Sequence, residues 1–405
     1  MRLKMQVCCA LAMLASVAAW SKADFRPASG FVQEAAAGLV ITHGPYLQLP
    51  ASDSMTVVWH TNKKCISRVE YGAGDKLDTT AVNSRNGLID NDRTSHIIRI
   101  AGLKPGTKYK YRVVSREFVG YIQQHIVTFG ETVSSPVHEF TTLQPGKEGF
   151  SFAMVSDIHE RAQDLEGMLG RKSCAAVDFM VYNGDMLNDF MNADQVFTGF
   201  LDVTAKLFAK TMPFLYARGN HETRGRFART LPDYLPVMDG RTYFSFDHGG
   251  VHFIVLDSGE DKEDSHQYYN GLVDFQDFRR QQAEWLKADL AGAACRGANF
   301  RIVISHIPPR GGKGFAIEDV SRNFESLINQ AGIDLWLSGH THRFQRVDPD
   351  PAQNAYQLII GSTDTITRVD VSKANLQVSV ERTNGEVLLP QLQLERRGRN
   401  RQPAE

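Results

Sequence analysis

The sequence contains little cysteine. Two of its five cysteines, Cys8 and Cys9, lie within the first 20 residues, and Cys65, Cys174 and Cys295 are far apart in the rest of the chain. No short cysteine spacing remains, so neither a disulfide framework nor a zinc ribbon is expected. One disulfide could form in an oxidising compartment, but three is an odd number and one thiol would remain without a partner. We therefore expect three buried cysteines with a packing role.

The net charge is also close to zero, at -1 over 405 residues. Such a chain has no overall field that would attract nucleic acid or an anionic membrane. We expect a small substrate and no nucleic-acid partner.

Long apolar runs are missing after the first 20 residues. The run at 7–20 is short for a membrane-spanning helix. It follows Arg2 and Lys4 and precedes the small residue Ala23, which predicts a signal peptide over 1–23 and a mature chain from Asp24. An uncleaved anchor is the alternative. The prediction implies a secreted or periplasmic protein with no stable membrane insertion after the signal is removed.

The length predicts two or three domains at roughly 150 residues each. After a linker at 24–38, residues 39–143 contain short β-type runs separated by glycine and proline turns, which predicts a small all-β sandwich. Trp59 is expected in its core, and Tyr109 is placed like a tyrosine that fixes a corner of such a sandwich. This stretch resembles a fibronectin type III-like module, and it carries no cluster of chemically active side chains.

Residues 148–395 alternate between strand and helix patterns. Short continuous apolar runs, typical of strands buried on both faces, occur at 150–155, 179–182, 214–216, 253–256, 302–304 and 335–337. Helical periodicity occurs at 197–210, 276–290 and 324–330. The pattern predicts an α/β domain.

The sequence also predicts the exposed face of one helix, the place of the last β-type runs and the state of the C-terminal segment. In the helix at 276–290, charged side chains including Arg279 are expected on the solvent side. The β-type runs at 356–360, 367–371 and 376–381 are expected to close a second sheet, and the basic segment 396–405 is expected to be an unstructured tail.

Side chains that can bind metals follow five of the apolar runs. They are Asp157, His159, Asp185, Asn220, His306, His340 and His342. Ligands of open α/β sheets bind at the carboxyl ends of the strands, so these loops are expected to converge. A single His-x-His pair would be weak support, but five fragments that agree in placement and residue type predict a metal site.

The residue types predict two metal ions. Imidazole mixed with carboxylate and amide oxygen suits Fe, Mn or Zn better than an all-oxygen calcium or magnesium site. Two cations about 3.5–4 Å apart need a shared carboxylate, and Asp185 is the natural bridge. The remaining six would divide into two sets: Asp157, His159 and His342 for one ion, and Asn220, His306 and His340 for the other. His221, beside a ligand, is the candidate general acid.

In this order, the motifs Asp-x-His, Gly-Asp-x-x-Asn, Gly-Asn-His-Glu, a strand-end histidine and Gly-His-Thr-His resemble the calcineurin-like metallophosphoesterase superfamily over about 150–370. The preceding β domain makes the purple acid phosphatase branch the most similar. The resemblance implies a four-layer αββα sandwich and a dinuclear metal centre with the ligands named above. It also implies hydrolysis of small phosphomonoesters by in-line attack of a metal-bound hydroxide, with His221 as the catalytic histidine.

Two departures from that branch stand out. Asn188 occupies the place of its tyrosine ligand, which removes a reason to expect a ferric ion. Shortly after His306, a glycine-rich segment replaces the branch's substrate histidines. Arg310 and Lys313 in that segment are candidate phosphate contacts, with a solvated surface loop as the alternative.

Other functions and residues stay open. A phosphodiesterase or nucleotide pyrophosphatase would use the same metals, and an adhesion or glycan-binding protein would use none of the chemistry. Glu222 is expected to support its loop, and Asp257 to line the crevice or pack. Residues 260–264 are expected to form a solvated loop, with a segment that covers the site as the alternative.

Overall fold

The computed structural model describes residues 38–396. The predicted signal peptide, nearly all of the predicted linker and all but the first residue of the predicted tail lie outside that range. The three cysteines beyond the signal segment are buried, as predicted, and all three are free thiols. Within the described range, no helix has both the length and the apolar character needed to cross a membrane.

The N-terminal region is all-β, as predicted. Its strands are β1 Ile41–Gln48, β2 Ser54–Gly72, β3 Thr79–Ala81, β4 Ser84–Arg85, β5 Leu88–Ile89, β6 Arg93–Ala101, β7 Lys108–Gln123, β8 Ile126–Ser134 and β9 His138–Thr141. The long strand β2 pairs antiparallel with β1, β3, β6 and β7. Trp59 is fully buried, and its indole N–H donates to Ser115 Oγ at 2.9 Å. The Tyr109 hydroxyl accepts from the Lys104 amide at 3.0 Å and so fixes the turn before β7.

The remaining strands and the helices alternate along the chain. The strands are β10 Phe150–Val155, β11 Phe179–Asn183, β12 Phe214–Ala217, β13 Phe244–His248, β14 Val251–Val255, β15 Phe300–Ile304, β16 Leu335–Ser338, β17 Gln345–Val347, β18 Gln357–Ile360, β19 Thr365–Val371, β20 Asn375–Arg382 and β21 Val387–Glu395. The helices are α1 Ala162–Leu169, α2 Asp194–Val196, α3 Asp202–Thr204, α4 Phe275–Leu290, α5 Ala293–Gly297, α6 Phe315–Val320 and α7 Ser326–Ala331. Wider π-type turns at Phe197–Leu201, Ala205–Ala209 and Ser321–Glu325 adjoin α2, α3, α6 and α7.

Two sheets pack face to face at the centre of this domain. The first runs β21-β20-β19-β10-β11-β12, and the second runs β13-β14-β15-β16-β18-β17. Their facing side chains form one core, which includes Phe152 and Phe179 from the first sheet and Phe253 and Ile302 from the second. Burial of this apolar surface is the main force that holds the sheets together.

Helices cover the outer face of each sheet. Leu165 of α1 and Phe200 pack against the first sheet, while Leu286 of α4 and Ile328 of α7 pack against the second. The layers are therefore helix, sheet, sheet and helix, which confirms the predicted αββα architecture.

Two strand pairings differ from the sequence prediction. Only β18 of the three late runs joins the second sheet, whereas β19–β21 extend the first sheet through antiparallel pairing of β19 with β10. The first sheet also continues into the N-terminal region, because β1 pairs parallel with β12 at Gln48 and Phe214. Periodicity identifies a strand but carries no information about its partner.

Arg279 is also placed differently from the prediction. Its side chain is fully buried, and it pairs with Asp319 at 2.9 Å and donates to the Ser258 carbonyl at 2.8 Å. A buried guanidinium needs such partners, and helical periodicity alone cannot supply them. Arg279 therefore ties α4 to α6 and to the loop after β14.

His252 on β14 provides a pH-dependent contribution to stability. Its ring nitrogens lie 2.8 Å from Asp247 Oδ1 and 3.0 Å from Asp289 Oδ2. Burial lowers the pKa of His252, but the two carboxylates outweigh it and raise the pKa to about 9. The charged form therefore stabilises the fold fully below the unfolded pKa of about 6.5, and this contribution is lost as pH rises towards about 9.

We expect His252→Asn to lower the free energy of unfolding by on the order of 2 kcal/mol at pH 6 and by much less at pH 9.5. Urea unfolding of both proteins across this range measures the difference. An equal loss at both pH values would contradict the assignment.

Candidate metal centre

Both sheets contribute loops to one edge of the sandwich. Asp157 and Asp185 follow the parallel strands β10 and β11, and Asn220 follows β12. His306 and His340 follow β15 and β16 of the second sheet, which are parallel to each other. Because the carboxyl ends of these strands meet there, residues more than 180 positions apart in the sequence come together.

The seven predicted ligands form two neighbouring groups. In one, ligand atoms of Asp157, His159, Asp185 and His342 all lie within 4.8 Å of one another. In the other, the same holds for Asp185, His306 and His340. Asn220 belongs beside the second group, because its Oδ1 lies 3.0 Å from His340 Nδ1. Asp185 is common to both groups, the position expected of a bridging carboxylate.

Individual distances show how closely the groups converge. His159 Nε2 and His342 Nε2 are 3.1 Å apart, and His342 Nε2 lies 3.3 Å from Asp157 Oδ1. His306 Nε2 lies 3.0 Å from Asp185 Oδ2 and 4.0 Å from Asp157 Oδ1. Nitrogen and oxygen atoms of several side chains therefore lie around the same small volume.

The hydrogen bonding of His306 indicates whether these residues fit a metal ion. Its Nδ1 donates to the Asn183 carbonyl at 2.7 Å, which fixes the tautomer and leaves Nε2 as the ligand nitrogen. Nε2 is buried and lacks a partner with hydrogen-bond geometry within the described residues, although the carboxylate of Asp185 lies close by. A cation between these groups would satisfy both, so the residues present fit the dinuclear centre.

The electrostatics of the site follow from burial and mixed charge. Burial lowers the pKa of His306, but the Asp185 carboxylate outweighs it and raises that pKa to about 10. Burial raises the pKa of Asp185, whereas the His306 and His221 rings hold it well below its usual range. Burial, with the neighbouring His306, lowers the pKa of His340 to about 4.

Left-handed backbone is concentrated at the candidate ligands. Five of the seven have positive φ: Asp157 at 57°, His159 at 49°, Asp185 at 52°, His340 at 71° and His342 at 56°. Each such residue carries a local conformational cost, of order 1–3 kcal/mol, that the surrounding fold must offset. This backbone bends the chain sharply after each strand and turns the side chains back towards the common volume.

Glu222 holds the loops beneath the site. It is fully buried, and its carboxylate accepts from the backbone amides of Asp185 at 3.0 Å, Leu187 at 3.0 Å and Gly219 at 2.9 Å. This agrees with the supporting role predicted for it. One carboxylate therefore joins the loop after β11 to the loop after β12.

Asn188, which replaces the tyrosine of the related branch, contacts two other predicted site residues. Its side-chain amide donates to the His159 carbonyl at 3.3 Å. Its own backbone carbonyl accepts from His221 Nδ1. That contact leaves Nε2 of His221 facing the candidate centre, 3.9 Å from Asp185 Oδ2.

Arg224 is a functional candidate that the sequence prediction missed. Its Nη1 lies 3.2 Å from His221 Nε2, and its other nitrogens bind Glu260 at 2.7 and 3.0 Å and Asp261 at 3.0 Å. Tyr269 also donates to Glu260, at 2.6 Å. Glu260 is 1% exposed, so the expectation that 260–264 is simply a solvated loop is wrong at its first residue. No local motif marks a contact between segments 36 residues apart.

We expect Arg224→Met to lower kcat by about 10–100-fold, the range typical of residues that orient a catalytic group, while metal content stays unchanged. Arg226→Met is the matched control, because Arg226 donates to the exposed Met191 carbonyl instead. Steady-state kinetics with metal analysis of both variants separates the two roles. Equal kinetics for the two variants would exclude a role for Arg224.

The guanidinium of Arg310 is already bound by other side chains and by a main-chain carbonyl. Its guanidinium binds Glu325, and it also donates to the side chain and the carbonyl of Gln353, each at 3.0 Å. Lys313 is exposed on the same loop. This loop passes near the Gly-His-Thr-His turn, since a methyl group added to Gly312 would lie 3.7 Å from Thr341 Cγ2. These contacts give Arg310 a structural role, and phosphate binding by either residue stays a prediction.

Asp257 is fully buried, and its hydrogen bonds and ion pair join it to residues outside the set of candidate ligands. It pairs with Arg218 at 2.8 Å and accepts from Thr242. These contacts support a packing role for Asp257 over a role in lining the crevice.

Comparison with known proteins agrees with this architecture. Residues 150–344 match the calcineurin-like phosphoesterase family, and residues 43–142 match the purple acid phosphatase N-terminal domain. Purple acid phosphatase 21 of Arabidopsis thaliana is 25% identical over 327 residues, which cover 75% of this chain and 66% of that protein, just under two thirds of its length. Acid phosphatase type 7 of Danio rerio is 23% identical, with 73% of this chain and 69% of that protein covered.

A solved structure shows the same fold. Purple acid phosphatase PPD1 from yellow lupin seeds superposes with a TM-score of 0.65 at 14% identity, covering 87% of this chain and 74% of that one. The two family matches, their order along the chain and the αββα layers agree. Residues 150–344 therefore form a calcineurin-like phosphoesterase domain, which follows a purple acid phosphatase N-terminal domain at 43–142.

Proposed function

We propose that this protein is a dinuclear-metal-dependent phosphatase that hydrolyses small phosphomonoesters. The observation that carries the proposal is the pair of ligand groups that share Asp185. The names of the related purple acid phosphatases support the same activity. Imidazole, carboxylate and amide oxygen together favour Fe, Mn or Zn as the ions.

Such a metal pair, when bound, lowers the pKa of a water molecule and offsets the negative charge of a phosphoryl group. The chain's own residues supply position and proton transfer. Asp157, His159 and His342 would hold one ion, Asn220, His306 and His340 the other, and Asp185 both. His221, held by the Asn188 carbonyl, would give a proton from Nε2 to the leaving oxygen.

Arg224 would bind the phosphoryl group beside His221 in this scheme. Its guanidinium is fixed by Glu260 and Asp261, so its Nη1 position beside His221 is pre-organised. A guanidinium there also suits a phosphate oxygen, because planar N–H donors match oxyanion geometry. We further propose export of the protein to the periplasm or the medium, which rests on the N-terminal sequence pattern alone.

The proposal is tested with purified protein that starts at Asp24. We expect about two metal ions per chain and turnover of 4-nitrophenyl phosphate above that of bis(4-nitrophenyl) phosphate. Asn220→Ala is expected to reduce monoester turnover by more than about 100-fold, beyond the 10–100-fold typical of residues outside the direct ligand set. Asn329→Ala, which removes an amide that contacts Gln353 and Ala355, serves as the control.

The outcomes separate the alternatives. Preferred turnover of the diester would assign the protein to the phosphodiesterase class on the same metals. A chain that binds no metal and hydrolyses neither ester would overturn both enzyme assignments and favour a binding protein.

A further inference from the structure

A second cavity, with a mainly apolar lining and a few polar side chains, lies where β1 joins the first sheet. It is bounded by the end of β1, by β12 and by the 3₁₀ turn Ala228–Asp233, and about 40 Å³ of it can be reached by the centre of a water molecule. None of the seven candidate ligands lines it, and neither does His221. It is therefore distinct from the candidate metal centre.

Two of the residues that line this cavity carry a buried donor without a partner. Gln48 Nε2 and Arg218 Nε have no hydrogen-bond partner among residues 38–396, and Gln48 is only 1% exposed. A buried donor left unpaired costs about 1–3 kcal/mol. Two such donors in one small cavity indicate that a further group accepts from them.

Tyr216 contributes a third polar atom to the same wall, and its hydroxyl also lacks a partner with hydrogen-bond geometry in that range. Burial, and next the nearby Glu222 carboxylate, raises the pKa of Tyr216 well above its usual value. Glu222 already lies within electrostatic reach of this hydroxyl, so Gln48 and Arg218 are the two residues whose donors need a further acceptor.

The donors determine the chemistry of the missing group. An amide N–H and a guanidinium N–H both require an acceptor, and the guanidinium favours a negative one. Arg218 uses Nη2 to pair with Asp257 at 2.8 Å, which leaves Nε available. Arg241 also lines the cavity, and its side chain is 41% exposed, so it marks the side that meets solvent.

The remaining walls and the volume limit the size of the ligand. Leu231, Leu235 and Val237 give the cavity an apolar side. A single water needs about 10–15 Å³ of such volume, so the cavity holds about three waters or a molecule of three or four non-hydrogen atoms. A tetrahedral phosphate would place polar oxygens against the apolar side, whereas a carboxylate with one short aliphatic group matches both sides.

We propose that this cavity binds a small monocarboxylate of the size of acetate, whose oxygens accept from Gln48 Nε2 and Arg218 Nε and whose methyl group contacts the apolar wall. The site lies at the junction between the N-terminal β region and the catalytic domain. It stands whether or not the metal centre hydrolyses phosphomonoesters.

Thermal unfolding of the metal-loaded protein tests the site. Sodium acetate is titrated against sodium chloride at equal ionic strength for the wild type, Gln48→Leu and the control Gln393→Leu, which changes an exposed glutamine on β21. We expect a saturable rise of Tm in the wild type and the control. Gln48→Leu is expected to need at least about tenfold more acetate, the effect of losing one hydrogen bond to a charged group.

Arg218→Lys provides a second variant in case Gln48→Leu does not fold. It keeps a positive charge opposite Asp257 but lacks the Nε donor, and we expect the same loss of acetate response. Acetate can also reach the metal centre, but a Tm rise caused there would persist in both variants. An unchanged acetate response in either folded variant would overturn the proposal.

A crystal structure of the metal-loaded protein in acetate gives the direct observation. We expect planar carboxylate density within hydrogen-bond distance of Gln48 Nε2 and Arg218 Nε, absent in chloride. Separate water peaks in the cavity in the presence of saturating acetate would assign the donors to water and overturn the proposal.

Discussion

Asp185→Asn is expected to remove both metal ions and to reduce phosphomonoester hydrolysis by more than about 100-fold. Asp185 is the residue common to both ligand groups. An amide oxygen in its place carries no charge to offset the repulsion between two cations about 3.5–4 Å apart. The loss should therefore exceed that of a variant that affects one group alone.

Metal analysis and steady-state kinetics on the same preparation measure this effect. Asp277→Asn is the matched control, since it removes a carboxylate that pairs with Arg280 on the exposed face of α4. A circular dichroism spectrum equal to that of the wild type establishes that Asp185→Asn folds. Retention of two ions by the folded variant would show that Asp185 does not bridge them.

Gly219→Ala is the second change with a large expected effect. A Cβ atom on Gly219 would lie 2.2 Å from Asp185 Oδ1 and 2.8 Å from Glu222 Oε2. Both contacts are far below van der Waals distance, and neither carboxylate can move freely, because Glu222 holds three backbone amides. We expect Asp185 to be displaced and hydrolysis to fall by more than about 100-fold.

Gly167→Ala is the control for this substitution. Gly167 lies inside α1, and its added methyl would meet nothing within 4 Å. Alanine is favoured over glycine in a helix by up to about 1 kcal/mol, so this variant should be as active as the wild type and no less stable. Metal content, kcat and Tm of the two alanine variants are compared. Full activity of Gly219→Ala would mean that the loop around Asp185 is much softer than its contacts indicate.

The sequence predicted the strands that lead to the candidate ligands, and the convergence of those ligands, because both depend on local pattern. Apolar runs mark buried strands, and polar residues directly after them fall at one edge of the sandwich. The alternation of strand and helix predicts only an α/β domain, and the αββα layers were expected from the family resemblance. The left-handed backbone at Asp157, His159 and the other ligands leaves no comparable signal, since none of these positions is glycine.

Features that depend on distant partners could not be predicted in this way. Arg224 reaches His221 only because Glu260, 36 residues away, binds its guanidinium. Arg279 is buried because its guanidinium pairs with Asp319 and donates to the Ser258 carbonyl. Helical periodicity alone predicts this residue as a surface charge. The pairing of β1 with β12 likewise depends on which sheet edge is open once the domain has assembled.

The contact between His221 Nδ1 and residue 188 has a consequence for how the site can diverge among relatives. The acceptor is the main-chain carbonyl of Asn188, not its side chain. Every amino acid supplies that carbonyl, so the orientation of His221 does not depend on which residue occupies position 188. The side chain there can therefore differ between a tyrosine and an amide without changing the main-chain contact that orients His221.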